Sequence, residues 1–145
     1  MHPVVSRLTV DVAAPASAVW DLLADFGAVE KWWPKGILQK VVCEGDGPGM
    51  IRHLHVGPGI VLEEQLDQLY PDQRRLTLSI RGDMPAGISN YHAEGRVLDV
   101  GQNACQLAWE GHYEVPDAES ETAARGFIEM AYAAQAQGVK SYLET

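Results

Sequence analysis

The sequence predicts an α+β fold in which antiparallel hairpins are followed by one long helix lying across the concave face of the sheet. Three observations carry this. Runs of alternating or β-branched residues recur from residue 4 to residue 115, separated by turn-forming strings such as "EGDGPG", "GPG" and "DMPAG". Only one segment between the first two runs changes to helical spacing. After Pro116 the chain turns helical again, with acidic residues leading, as the dipole of a helix N-terminus favours.

In order, "VVSRLTVDV" alternates over 4–12 and makes the first strand. In "AAPASAVWDLLADFGAVEKWWP", Pro15 suits a first helical turn, Ala18, Leu22 and Phe26 recur at helical spacing, and Gly27 stops the helix. A second short helix over 28–33 ends before Pro34. Further strands are expected at 37–43, 50–56, 60–69, 75–81, 88–100 and 104–115, and the last helix runs to the C-terminal end. The 145 residues, 46% of them hydrophobic, suffice for one domain with one core, so residues 1–145 are expected to form a single domain.

Composition excludes several classes of function. The formal net charge is −9 and no run of basic residues could neutralise a phosphate backbone, so nucleic acid is not an expected partner. No stretch approaches the roughly 18 apolar residues of a membrane span, and "MHPVVSRLTVDV" lacks a signal-peptide core, so a cytoplasmic location is expected. Cys43 and Cys105 have no CxxC spacing and read as two separate reduced thiols. His53 and His55, at i and i+2, could meet a metal, but no third ligand of matching parity accompanies them. Neither metal nor cofactor is expected.

One residue breaks the pattern. In "GIVLEEQLDQL", Ile60, Leu62 and Leu66 share one face and Glu63, Gln65 and Asp67 the other, yet Glu64 falls with the apolar set. A carboxylate there needs a partner or a function. Arg52 on the neighbouring strand is the most plausible partner, although parity leaves open whether Arg52 and Leu54 or His53 and His55 point inward. The other reading makes Glu64 a polar anchor or general base in a cavity. Parity places Tyr91, Ala93, Gly95 and Val97 inward on one strand and Cys105, Leu107, Trp109, Gly111 and Tyr113 inward on the next, leaving His92 and His112 outside. With Leu78 and Ile80, these large rings beside small residues have the composition of a pocket. Phe127, Ala131 and Gln135 form one stripe of a last helix rich in Ala and Gly, too small a face to fill a wide concavity.

The strings "PASAVWDLLADFGAVEKWWP", "GPGMIRHLHVGPGIVLEEQLDQLYPDQRRLTLSI", "SNYHAEGRVLDV" and "CQLAWEGHYEVP" resemble the bacterial polyketide cyclase/dehydrase-like branch of the START/Bet v 1 (SRPBCC) superfamily over essentially the whole chain. That resemblance implies a helix-grip fold: a seven-stranded curved antiparallel sheet around the C-terminal helix, enclosing an apolar cavity. Plant abscisic acid receptors are similar in "SNYHA", in "GPG" at 57–59 and in the spacing from Pro116 to Phe127. The similarity implies that Glu64, Tyr91, Trp109, Phe127, Ala131 and Gln135 line the pocket and that Gly57, Pro58 and Gly59 stand where those receptors carry a gate loop. Their pocket lysine has no counterpart near Ile37 to Lys40, which argues against a carboxylate hormone.

The expected function is binding of a small, largely hydrophobic molecule by Leu62, Glu64, Leu78, Ile80, Tyr91, Trp109, Tyr113, Phe127, Ala131 and Gln135. The alternative is a cyclase or dehydratase in which Glu64 abstracts a proton next to a carbonyl and Tyr91 donates to the developing enolate. A regulatory module acting through the 57–59 loop on a protein partner is a third reading.

Overall fold

The computed structural model describes residues 1–144. Seven antiparallel strands form one sheet: β1 (His2–Val12), β2 (Lys40–Glu44), β3 (Ile51–Gly57), β4 (Ile60–Tyr70), β5 (Arg75–Arg81), β6 (Ser89–Gly101) and β7 (Ala104–Val115). Their order is β1-β7-β6-β5-β4-β3-β2, so every neighbour after the β1–β7 pairing is a hairpin partner. Two α-helices complete the fold, α1 (Ala16–Ala24) and α2 (Glu121–Leu143), with a 3₁₀ segment at Phe26–Lys31. This is the helix-grip fold, with α2 against the concave face.

The alternation read in the sequence is the physical basis of the sheet. On β7, Cys105, Leu107, Trp109, Gly111, Tyr113 and Val115 are buried while the residues between them are partly exposed. A one-residue slip would carry that entire set to the outer face, so burial fixes the register. The second strand departs from expectation. It begins at Lys40 rather than 37, because Pro34 to Leu38 fold into a tight turn in which the Ile37 N–H donates to the Pro34 carbonyl at 3.3 Å.

Helix α2 is tied down at both ends. Asp117 accepts from the Ser120 N–H at 2.9 Å ahead of the first turn. Glu121 receives His2 and Arg125, each at 2.6 Å, and Arg125 Nη1 donates to the Val5 carbonyl at 2.7 Å, pinning the helix to β1. Toward the other end a Cβ on Gly138 would stand 2.0 Å from the Trp32 carbonyl oxygen. The small residues of α2 thus serve close packing as well as leaving space.

Candidate functional site

Arg52 and Glu64 face each other directly across β3 and β4. Both point inward, 4% and 6% exposed, with Leu54 beside Arg52 and with His53 and His55 on the other face. His53 lies instead beside the surface carboxylates of Glu44 and Glu63, at 3.4 and 3.9 Å. Arg52 Nε donates to Glu64 Oε1 at 2.7 Å and Nη2 contacts the same oxygen. Nη1 donates to the Phe26 carbonyl at 2.9 Å, and the guanidinium lies 3.6 Å from the Phe26 ring centroid. Every nitrogen of the guanidinium is therefore engaged, as a buried cation requires. Glu64 Oε2, by contrast, has no hydrogen bond among the described residues.

Between the sheet and α2 lies a cavity of about 250 Å³. Its sheet wall includes Leu54, Val56, Leu62, Glu64, Ile80 and Tyr91, and its helix wall includes Phe127, Ile128, Ala131, Tyr132 and Gln135. Trp33 and Met84 close the sides, while Ile37, Ile60 and Met130, each exposed to solvent, lie at its rim. The lining is almost wholly apolar. Its polar side-chain groups are the Glu64 carboxylate, two phenols, the Gln135 amide and the indole of Trp33. The indole N–H groups of Trp32 and Trp33 are buried with no acceptor among the described residues. A larger depression of about 600 Å³ is an open groove on the outer face of the sheet, beside the stacked imidazoles of His92 and His112.

The two phenols form a unit. Tyr91 on β6 and Tyr132 on α2 bring their hydroxyls to 2.5 Å, and both rings are buried. They fit only because position 111 is glycine: a Cβ there would stand 2.2 Å from the Tyr132 hydroxyl and 3.1 Å from the Tyr91 ring. Trp109 stacks on Tyr132 at 5.9 Å, and Tyr113 tilts against Tyr91 at 6.0 Å. Burial pushes the Tyr91 hydroxyl well above the ordinary phenol range, and its neighbour Tyr132 and the Glu64 charge add to the shift. Burial raises Tyr132 as well, against the opposing effect of its hydrogen bond with Tyr91. Both phenols are neutral at neutral pH.

The structure brings Leu62, Glu64, Ile80, Tyr91, Phe127, Ala131 and Gln135 to this cavity. It sets Leu78, Trp109 and Tyr113 elsewhere, a correction to the expected lining. Leu78 and Trp109 border a separate void of about 20 Å³ beside Arg52, and the Tyr113 hydroxyl is 2.7 Å from Ser6 Oγ. The reason is that the small residues of the inner face are already filled. Gly95 receives the Trp109 indole and Gly111 the tyrosine pair, so rings occupy the space that composition alone offers to a ligand. Gly57, Pro58 and Gly59 form the tight connection between β3 and β4, with Gly59 at φ +72° and Gly57 paired with Ile60. Tyr132, outside the expected lining, is part of it. The signal was present: Ala124, Ile128, Tyr132 and Ala136 recur at four-residue intervals and are the buried stripe of α2.

A family model described as polyketide cyclase / dehydrase and lipid transport matches residues 3–144. Among solved structures, norcoclaurine synthase from Thalictrum flavum, in complex with dopamine and hydroxybenzaldehyde, superposes with a TM-score of 0.81 at 20% identity, covering 96% of this chain and 85% of that one. The Zhui aromatase/cyclase from Streptomyces sp. R1128 gives 0.81 at 23% identity, over 97% and 93%. A protein from Thermobifida fusca gives 0.82 at 26% identity, over 94% and 90%. No curated protein matches the sequence.

Proposed function

Because the chain belongs to the polyketide cyclase / dehydrase and lipid transport family, within the Bet v 1-like superfamily, we propose that it binds a small, largely apolar molecule in the cavity between sheet and α2. The observation that carries this reading is the cavity of about 250 Å³ whose apolar walls leave a few polar groups to orient a guest. An apolar cavity of about 150 Å³ takes up benzene, so this one suits a molecule of about two fused rings or a short lipid-like chain. Gly57, Pro58 and Gly59 are the proposed gate, since Ile60, next in the chain, is exposed at the rim. Melting temperature tests the reading. By mass action, a fused-ring ligand at about 100 times its Kd stabilises the fold by about 2.7 kcal/mol, whereas short polar metabolites leave the transition unchanged. A broad apolar panel without a stabilising member contradicts the proposal.

The second reading, an enzyme of cyclase or dehydratase type, is favoured by one specific feature. Glu64 lines the same cavity as two neutral phenols, and its Oε2 has no hydrogen bond among the described residues. In that reaction Oε2 takes a proton from the carbon next to a ligand carbonyl, and a phenol hydroxyl donates to the oxygen as enolate charge develops. Deuterium exchange at that carbon of a bound ketone reports the step directly. Glu64→Gln keeps size and hydrogen bonding, so the account expects binding to survive and exchange to fall by about 10²–10⁴-fold. Exchange retained in the glutamine variant excludes Glu64 as the base.

A further inference from the structure

Three apolar side chains from distant parts of the chain meet at the mouth of the cavity. Ile37 belongs to the turn after Pro34, Ile60 opens β4 and Met130 lies on α2, and all three line the cavity while remaining 42%, 39% and 69% exposed. Single exposed apolar residues are ordinary, but a set drawn from separate segments around one opening is an unpartnered patch. The walls behind the rim are apolar too, so the patch continues into the interior.

Positive charge borders this patch. Residues 31–43, "KWWPKGILQKVVC", hold Lys31, Lys35 and Lys40 and no carboxylate, in a chain of formal net charge −9. Lys31 lies 3.6 Å from Asp25, whereas Lys35 and Lys40 have no ion pair among the described residues. The preceding residue, Glu30, is taken up by the Val41 N–H at 2.9 Å. A groove of about 350 Å³ lined by Lys31, Trp33, Lys35 and Tyr142 adjoins the cavity and shares Trp33 with it, and Tyr142 is half exposed.

We infer that this face docks on a membrane surface carrying anionic lipid, with Ile37, Ile60 and Met130 entering the interfacial layer and Lys31, Lys35 and Lys40 meeting the phosphates. The inference rests on the cavity-binding reading and adds the partner from which the guest arrives. A lysine stem lies along apolar surface while its ammonium reaches a phosphate, and an amphipathic ring such as that of Tyr142 suits the headgroup level. The net charge of −9 opposes docking only at a distance. At physiological ionic strength fields fade over about 8 Å, so carboxylates on the outer face of the sheet are screened and the lysines nearest the bilayer decide the sign. An acidic protein would also answer the lysines. A bilayer in addition gives the exposed rim an apolar phase to enter, and lets an apolar guest reach the cavity without crossing water.

Co-sedimentation of the full chain with vesicles tests this, using phosphatidylcholine mixed with phosphatidylserine and, beside it, phosphatidylcholine alone. The protein should partition to the anionic vesicles only, and less as salt is raised. Lys35→Gln and Lys40→Gln should each weaken partitioning by about fivefold, the worth of one basic residue at such a surface. Ile37→Ser/Met130→Ser should weaken it while leaving the salt dependence unchanged. Val100→Ser, at an exposed apolar residue of β6 outside the cavity, should have no effect. Absence of binding to anionic vesicles, equal binding to both kinds, or indifference to the lysine and rim variants overturns the inference. Retention of the protein on polyglutamate without binding to vesicles gives the surface to an acidic protein and overturns it as well. The ligand-induced rise in melting temperature is measured without vesicles, so the cavity-binding reading stands or falls separately.

Discussion

Arg52 Nε stands 2.7 Å from Glu64 Oε1, and the arginine's second contact goes to that same oxygen, leaving Oε2 without a hydrogen bond among the described residues. This one-sided pairing combines architecture with chemistry. It balances a charge that the apolar face of β4 could not otherwise hold, in a residue that also lines the cavity.

Removing one partner is therefore expected to cost more than removing both. Glu64→Leu strands a buried guanidinium, and chemical denaturation should show a loss of about 3–5 kcal/mol. The double change Arg52→Met/Glu64→Leu should recover most of that loss, since well-packed apolar replacements of buried ion pairs are often neutral or stabilising. Additive single losses in the double variant would contradict the pairing.

Gly111→Ala should be destabilising for steric rather than conformational reasons, because the new Cβ meets the Tyr132 hydroxyl at 2.2 Å. Overpacking of this kind costs about 1–3 kcal/mol. Tyr132→Phe removes the atom that clashes, so Gly111→Ala/Tyr132→Phe should lose less than the sum of its parts. Strict additivity in a double-mutant cycle would show that the tyrosine does not occupy the space above residue 111.

The tyrosines also set the alkaline limit of stability. In the unfolded chain a phenol titrates near pH 10, whereas burial raises Tyr91, Tyr132 and Tyr113 in the folded protein. Above about pH 10 the unfolded state has released protons that the native state retains, so unfolding gains and stability falls as pH rises. Below that range the contribution is fully present. Phenolate absorbance from these residues should appear together with loss of the fold, and Tyr91→Phe/Tyr132→Phe should flatten the pH dependence of the melting temperature above pH 10. A dependence identical in wild type and variant would contradict the shifts.

At the proposed gate, amide hydrogen exchange over residues 57–60 should slow when 2-acetylnaphthalene is bound, because Ile60 at the rim then packs against a guest. Identical exchange with and without the probe would reduce Gly57, Pro58 and Gly59 to a hairpin turn.

The strands and the partner of Glu64 were legible in the sequence for one reason: a period of two assigns each strand residue to a face, and a carboxylate on the apolar face calls for a counter-charge. The cavity lining was less so. Parity says that Trp109 and Tyr113 point inward but not whether a ring or empty space stands before them. That depends on α2, where Ile128 and Tyr132 stand among many Ala and Gly residues. Tyr132 fills the space over Gly111, which moves the cavity toward Leu62, Ile80 and Phe127. The facing of Arg52 against His53 was also beyond parity, because Met50 and Ile51 are both apolar, and only pairing with β4 resolves it.

The four methionines give the most direct test of the central claim, that a small apolar molecule binds between the sheet and α2. Met84 and Met130 line the cavity, whereas Met1 and Met50 do not. In a protein labelled with ¹³C at the methionine methyl groups, titration with 2-acetylnaphthalene should shift the Met84 and Met130 signals along a saturable curve and leave those of Met1 and Met50 in place. Four unmoved signals at saturating probe, or movement confined to Met1 and Met50, would contradict the account.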